Sequence, residues 1–273
     1  MTAAALAGDL LDIAEALAWE AGERARLRQA RARIVAAKDH RHDVVTEADI
    51  AAERLIVERL ARLRPGDGVL AEEGARSAGT TGITWVIDPI DGTANYSYGS
   101  PQWAVSIAAV DRGEDPAHWR VLAGVVSAPA LGEHYAARIG GGATLNGEPI
   151  RARAPVDVAD AIVSTGFSPS PERRGLQLAV AGGLFGVFRD IRRHSSSTLD
   201  ICSVASGRVD AFYYHGLRPW DLAAASLIAT EAGSVAIGRG GGAADGALAV
   251  VAPQPLASDL LAAVEAAEPE VAA

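Results

Sequence analysis

Leu6, Leu10, Ile13, Leu17 and Ala21 recur every three or four positions, so about residues 3–33 read as one long amphipathic helix. The period then breaks: Lys38-Asp39-His40-Arg41-His42-Asp43 is polar, has no repeat and reads as a loop. Thr46 stands three residues before Asp49 and ahead of Ile50, Leu55, Ile56 and Leu60, which predicts a helix opened by a capping-box-like acid and closed at Pro65-Gly66. Short apolar runs at 68–71 and 84–87 predict buried strands, and each delivers acids at its end, Glu72-Glu73 and Asp88. Strands are also expected at 103–110, 121–127 and 134–137, with Asn146-Gly147 as the strongest hairpin signal. The second half predicts a strand at 161–165, a helix at 171–184, a short buried helix at 198–206, a strand at 209–214 and an Ala-rich helix at 222–231 closed by Gly233. A glycine loop at 240–242, a strand at 247–252 and a last helix at 258–267 complete the pattern. Alternating strands and helices with antiparallel hairpins predict an α/β (α+β layered) fold, with alternating layers of helices and mixed sheets. No linker interrupts the chain, so 1–273 is expected to form a single domain.

Charge narrows the function. Twenty-five Lys and Arg against 34 Asp and Glu leave a net charge of −9, and no basic stripe is visible, which argues against nucleic acid as a partner. An acidic protein still takes a phosphate if bound cations reverse the local field. Cys202 is the lone cysteine and reads as a small buried apolar residue; no intrachain disulfide is possible, which fits a cytoplasmic location. The N-terminus has no basic region and is interrupted by Asp9, Asp12 and Glu15, so it reads neither as a signal peptide nor as a membrane span.

The densest chemistry lies in WVIDPIDGTANY (85–96). Strict alternation would put Asp88 and Ile90 on one side and Asp91 on the other, but Pro89 and Gly92 favour a turn. In a turn, both carboxylates and the Ile90 carbonyl could converge on a hard cation such as Mg²⁺. Gly92-Thr93 would then open a helix whose free N–H groups can receive a phosphate. The plain structural alternative is a turn in which Asp88 caps a helix. Glu72-Glu73 and Asp221, after Pro219-Trp220, add acids at other element boundaries, enough together for two or three magnesium sites. Taken alone, Asp49 reads as a helix-start acid that favours the dipole.

These segments resemble the inositol monophosphatase family. VLAEEGA (69–75), WVIDPIDGTANYSYGSPQWAVSI (85–107) and WDLAAASLIATEAGS (220–234) carry the resemblance, with support from DVVTEADIAAERLI (43–56), GGGATLNGEPI (140–150) and LDICSVASGRVDAFYYHGLRPWD (199–221). The resemblance implies a phosphoric monoester hydrolase, usually homodimeric, that needs Mg²⁺ and is often inhibited by Li⁺. It implies that Glu72, Asp88 and the Ile90 carbonyl hold a first metal, Asp88, Asp91 and Asp221 a second, and Glu72 a third. It assigns Thr93 and Asp49, assisted by Glu72, to orienting and deprotonating the attacking water. The Gly92 and Thr93 N–H groups would bind phosphate, and Lys38 falls where the family has a basic residue near the metals.

The chain departs from the family at specificity positions. Tyr214 stands where members commonly carry a glutamate that contacts a sugar hydroxyl, and Ser195-Ser196-Ser197-Thr198 replaces Gly-Ser/Thr-Ala-Ala. Ser196 and Ser197 are therefore expected to face the substrate, a small phosphorylated polyol, and Asp200 to position the Ser-rich loop. Histidinol phosphate, fructose 1,6-bisphosphate and 3′-phosphoadenosine 5′-phosphate are the rival substrates. Tyr214 offers no acid to the cationic histidinol. No G-x-S-x-G is present, so a serine nucleophile has no support. A non-catalytic protein-binding relative is the alternative of another class, and the intact acid set argues against it.

Overall fold

The computed structural model describes residues 2–38, 40–111 and 119–269. The first helix, α1 (Ala3–Arg28), ends earlier than its periodicity suggests and passes through a 3₁₀ turn at Gln29–Arg31. The chain then enters a small antiparallel hairpin, β1 (Ile34–Ala37) and β2 (Val44–Thr46), whose connection is the polar loop. This hairpin escapes the pattern because β1 is exposed along its whole length. Thr46 then caps α2 (Glu47–Leu63) in a full capping box with Asp49, as its spacing predicts.

An eight-stranded sheet forms the centre, built from β3 (Gly68–Ala71), β4 (Arg76–Ser77), β5 (Ile83–Asp91), β6 (Ala104–Asp111), β7 (Arg120–Ala128), β8 (Glu133–Arg138), β9 (Ala143–Leu145) and β10 (Glu148–Ile150). Its order is β10-β9-β8-β7-β6-β5-β3-β4, and only the β3–β5 pair is parallel. A short helix, α3 (Thr93–Ser97), follows β5. The second sheet holds β11 (Ile162–Thr165), β12 (Asp190–Arg192), β13 (Ala211–Tyr214), β14 (Val235–Ile237) and β15 (Ala249–Ala252) in the order β12-β11-β13-β15-β14. The remaining helices are α4 (Pro171–Leu184), α5 (Ser197–Ala205), α6 (Pro219–Glu231) and α7 (Leu256–Ala267).

Side-chain alternation sorts these elements into layers. From the large sheet, Trp85, Ile87, Val105 and Ile107 face α1 and α2, while Val86, Ala104, Ala108 and Val126 face α5 and α6. Phe212 and Val251 of the second sheet close over α5 and α6 from the other side, and Ala211, Tyr213, Val250 and Ala252 pack outward on α4 and α7. The order is therefore helices, sheet, helices, sheet, helices, the mixed α/β layering the sequence predicts. Both central strands and α6 are buried on two sides, which explains why their apolar runs are continuous rather than amphipathic. No helix among the described residues is long and apolar enough to cross a membrane.

The middle layer lies close to the sheet because the facing residues are small. A Cβ placed on Gly124 of β7 would come within 2.9 Å of the Ala224 Cα of α6. The obstacle is backbone, so nothing can swing aside. Gly124→Ala is therefore expected to cost about 1–3 kcal/mol by overpacking, read as a lower urea midpoint. An unchanged midpoint would show that α6 is not seated by this contact.

Candidate active site

The β5 strand does not stop at Asp88 as the apolar run suggests; it continues through Pro89 to Asp91, fully buried. Asp88 pairs with Ser106 and Asp91 with Ala104, so three steps on β5 oppose two on β6. This is a bulge, placed where Pro89 has no N–H to donate to the ladder. One extra residue reverses the alternation that would have sent the two carboxylates to opposite faces. The turn expected from Pro89 and Gly92 is thus a bulge followed by a left-handed Gly92 (φ 91°). A side chain at Gly92 would meet the Gln102 carbonyl at 2.9 Å.

Asp221 reaches the same point from the first turn of α6, where its Oδ2 accepts the Arg218 N–H at 2.7 Å. Carboxylate oxygens of Asp88, Asp91 and Asp221 lie within 4.8 Å of one another. Burial raises all three acids above the ordinary carboxylate range, and their mutual repulsion, with that of Glu72, raises them further. Asp91 is partly relieved: its Oδ2 accepts the Ser196 hydroxyl at 2.7 Å, the Thr198 N–H at 2.8 Å and the Thr198 hydroxyl at 2.6 Å. Asp88 Oδ1 accepts the Ile90 N–H at 3.1 Å.

Glu72 ends β3, next to β5, and its Oε1 lies 2.7 Å from Lys38 Nζ, which also holds Glu73 at 2.7 Å. Burial alone would depress the Lys38 ammonium; the Glu72 and Glu73 charges outweigh it and hold it above the ordinary lysine value. Burial pushes Glu73 up to about 7. Thr93 Oγ1 sits 3.1 Å from Asp49 Oδ1 and 3.0 Å from the Ile90 carbonyl. Asp49 is fully buried and accepts the N–H and hydroxyl of Thr46, yet burial still raises it to about 6. Clustered, hard, buried oxygen donors with more negative charge than their neighbours neutralise are the donor chemistry of Mg²⁺. The residues therefore fit such an ion.

The wider comparisons agree with this site. A family model described as the inositol monophosphatase family matches residues 8–269. The chain belongs to the inositol monophosphatase family. An inositol-1-monophosphatase of Mycobacterium leprae is 41% identical over 93% of this chain and 92% of its own. The solved structure of Mycobacterium tuberculosis SuhB superposes with a TM-score of 0.80 at 39% identity, over 95% of this chain and 97% of that one. A protein of Xylella fastidiosa named Nus factor SuhB is 41% identical over 71% of this chain and 68% of its own. The phosphatase class expected from the sequence stands on this membership.

Of the residues singled out in the sequence, Lys38, Glu72, Asp88, Ile90, Asp91, Gly92, Thr93, Ser196, Ser197, Tyr214 and Asp221 line one cleft, and Asp49 lies behind Thr93. Ser196 differs from expectation: it is fully buried, and its hydroxyl is spent on Asp91 rather than offered to a substrate. Ser197 and Tyr214 remain partly exposed there, and burial pushes the Tyr214 hydroxyl up to about 12. Asp200 holds His194 Nδ1 at 2.6 Å and the Ser164 hydroxyl, tying the Ser-rich segment to β11. Three supporting residues escape sequence reasoning. Thr198 supplies two donors to Asp91. Glu53 accepts the Glu73 and Ala75 N–H groups at 2.7 and 2.9 Å, fixing the turn that carries Glu72. Asn95 donates to the Gln102 and His194 carbonyls, joining the Gly92 turn to the Ser-rich segment.

These acids ionise at higher pH in the folded chain than in the unfolded one. Between about pH 4 and pH 7 the folded state therefore holds protons that the unfolded state has shed, and stability falls as pH rises. Chelator-treated protein is expected to melt at a lower temperature at pH 7.5 than at pH 5. Millimolar Mg²⁺ should raise the melting temperature at pH 7.5 and have little effect at pH 5, where protons already do its work. Equal Mg²⁺ shifts at both values would contradict the charge-repulsion account.

Proposed function

We propose that this chain hydrolyses a small phosphate monoester, a myo-inositol monophosphate or closely related polyol phosphate, with water as nucleophile and Mg²⁺ as cofactor. The observation that carries the reading is the convergence of Asp88, Asp91 and Asp221 beside the Thr93–Asp49 contact. The name of the Mycobacterium leprae relative supports inositol phosphate as the substrate. Glu72, Asp88 and the Ile90 carbonyl would hold one ion, Asp88, Asp91 and Asp221 a second, and Glu72 a third. When bound, the ions neutralise the charge of the phosphate and acidify water. The working form on this reading is a cytoplasmic homodimer whose residues 1–273 act as one domain.

The chain's own residues do the rest. The Gly92 and Thr93 N–H groups, free at the start of α3, donate to the phosphate oxygens. The Thr93 hydroxyl receives the proton of the attacking water and passes its own to Asp49 Oδ1; an acid at about 6 is suited to holding it near neutral pH. Glu72 lies beside this path and assists in orienting the water. As the water oxygen bonds to phosphorus, the ester P–O bond breaks, and the leaving oxygen takes a proton to give the free polyol and inorganic phosphate. Ser197 and Tyr214 offer hydroxyls to the polyol. Histidinol phosphate is the runner-up, weakened because Tyr214 presents no carboxylate to its ammonium. The likeness to a Nus factor supports a protein-binding role that would leave the acids unused.

Phosphate release with Mg²⁺ from inositol 1-phosphate, histidinol phosphate and glycerol 2-phosphate tests the reading, and inositol 1-phosphate is expected to be turned over best. Asp91→Asn should lower kcat by orders of magnitude while the protein stays folded. Near-full activity would overturn the role given to Asp91. Thr198→Val, which removes one donor from Asp91, should weaken apparent Mg²⁺ affinity about 10–100-fold; unchanged affinity would mean that the Asp91 carboxylate is held without it.

A further inference from the structure

Part of the cleft lining is basic, although the chain as a whole is acidic. Arg173 and Arg174 come from the first turn of α4 and Arg193 follows β12; all three line the cleft that holds the carboxylates. Contacts join them into one patch. The Arg193 guanidinium lies 5.6 Å over the Phe167 ring. Arg174 donates to the Ser168 and Pro169 carbonyls at 3.0 and 3.1 Å. Arg173 lies flat on Gly216, where a Cβ would come within 2.9 Å of Nη1. Tyr214 packs on Gly166 in the same place and feels the Arg193 charge.

None of these three arginines pairs with a carboxylate among the described residues, whereas Arg192, Arg208 and Arg239 nearby in sequence or fold each do. Arg218 also lines the cleft, but it sits at Asp221 and belongs to the acidic centre. Gathering like charges without partners costs energy unless a ligand supplies the counter-charge. A guanidinium pairs with phosphate through two parallel hydrogen bonds, and stacking on Phe167 and seating on Gly216 order the side chains in advance. The cleft measures about 1360 Å³. Small-ligand sites usually hold roughly 300–1,000 Å³, so there is room for more than a monophosphate.

We propose that Arg173 and Arg193, backed by Arg174, form a distal anion subsite, and that the preferred substrate is a polyol bisphosphate. One phosphate lies at the carboxylates and is cleaved; the second binds the arginines and stays on the product. The proposal rests on the phosphatase reading above and refines its substrate.

The test compares two substrates that differ only in the second phosphate, inositol 1-phosphate and inositol 1,4-bisphosphate, in Mg²⁺-dependent phosphate release. The wild type is expected to show a KM at least about tenfold lower for the bisphosphate, the effect of one charge-assisted hydrogen bond. The Arg173→Gln/Arg193→Gln pair should abolish that advantage and leave kcat/KM for the monophosphate within about twofold, since a surface substitution away from the reacting group is nearly neutral. Arg173→Gln alone, at an exposed helix position, should lose part of it, and Arg193→Lys should retain part, because charge survives and the bidentate geometry does not. Equal KM values in the wild type, or equal losses on both substrates in the variants, would overturn the subsite while leaving the phosphatase reading intact. No release from either substrate would overturn both.

Discussion

Asp88, Asp91 and Asp221 repel one another inside a protein that has removed most of their water. Their oxygens share a space 4.8 Å across, and burial raises each acid before repulsion adds to it. The surrounding structure partly offsets this cost. Asp221 occupies the first turn of α6, and Asp49 that of α2, where the positive ends of the helix dipoles lie. Asp91 takes the first free N–H of α5 together with two hydroxyls. Helix N-termini from three layers thus point at one region. They leave the cluster with an excess of negative charge that only a ligand cation can complete.

Such a cluster needs stiff supports, because flexible acids would simply move apart. The bulge at Asp88–Asp91 is wedged in the middle of a sheet buried on both faces, and α6 is pressed on that sheet through Gly124 and Ala224. Glu53 pins the turn after β3 through two backbone donors. Asn95 locks the Gly92 turn to the Ser-rich segment across the cleft. The local irregularities that make the site are held by regular structure on every side.

Much of this was legible in the chain. The Thr46–Asp49 spacing predicted a capping box, and acids at the ends of apolar runs marked where strands deliver carboxylates, because both signals are local. The bulge was not legible: pairing with β6 decides how Pro89 is absorbed, and that partner is encoded thirteen or more residues away. Ser196 was misjudged for a similar reason. A serine before a helix looks free to meet a substrate until Asp91, from another layer, claims its hydroxyl. Glu53 looked like one more helix-surface acid; its role appears only once the turn after β3 is seen above it. Exposed β1 carries no periodic signal at all.

The division of labour within the cleft follows from these supports. Residues proposed to drive the chemistry stand at the ends of β3 and β5 and the starts of α2, α3 and α6, each tied to the central sheet. The lining that would recognise the rest of the substrate comes mainly from 166–174, 193–197 and 214–218, segments attached to the second sheet. Changes there, such as Tyr214 in place of a carboxylate or an arginine beside Phe167, alter the charge met by the far side of a ligand. They leave the Asp88–Asp91–Asp221 geometry untouched, because no bond to those three acids passes through Tyr214, Arg173 or Arg193. A family can therefore vary its substrate without reopening the electrostatic problem at its centre. Ser196 and Thr198 mark the boundary between the two functions: they lie in the recognition segment, yet their hydroxyls belong to the acids.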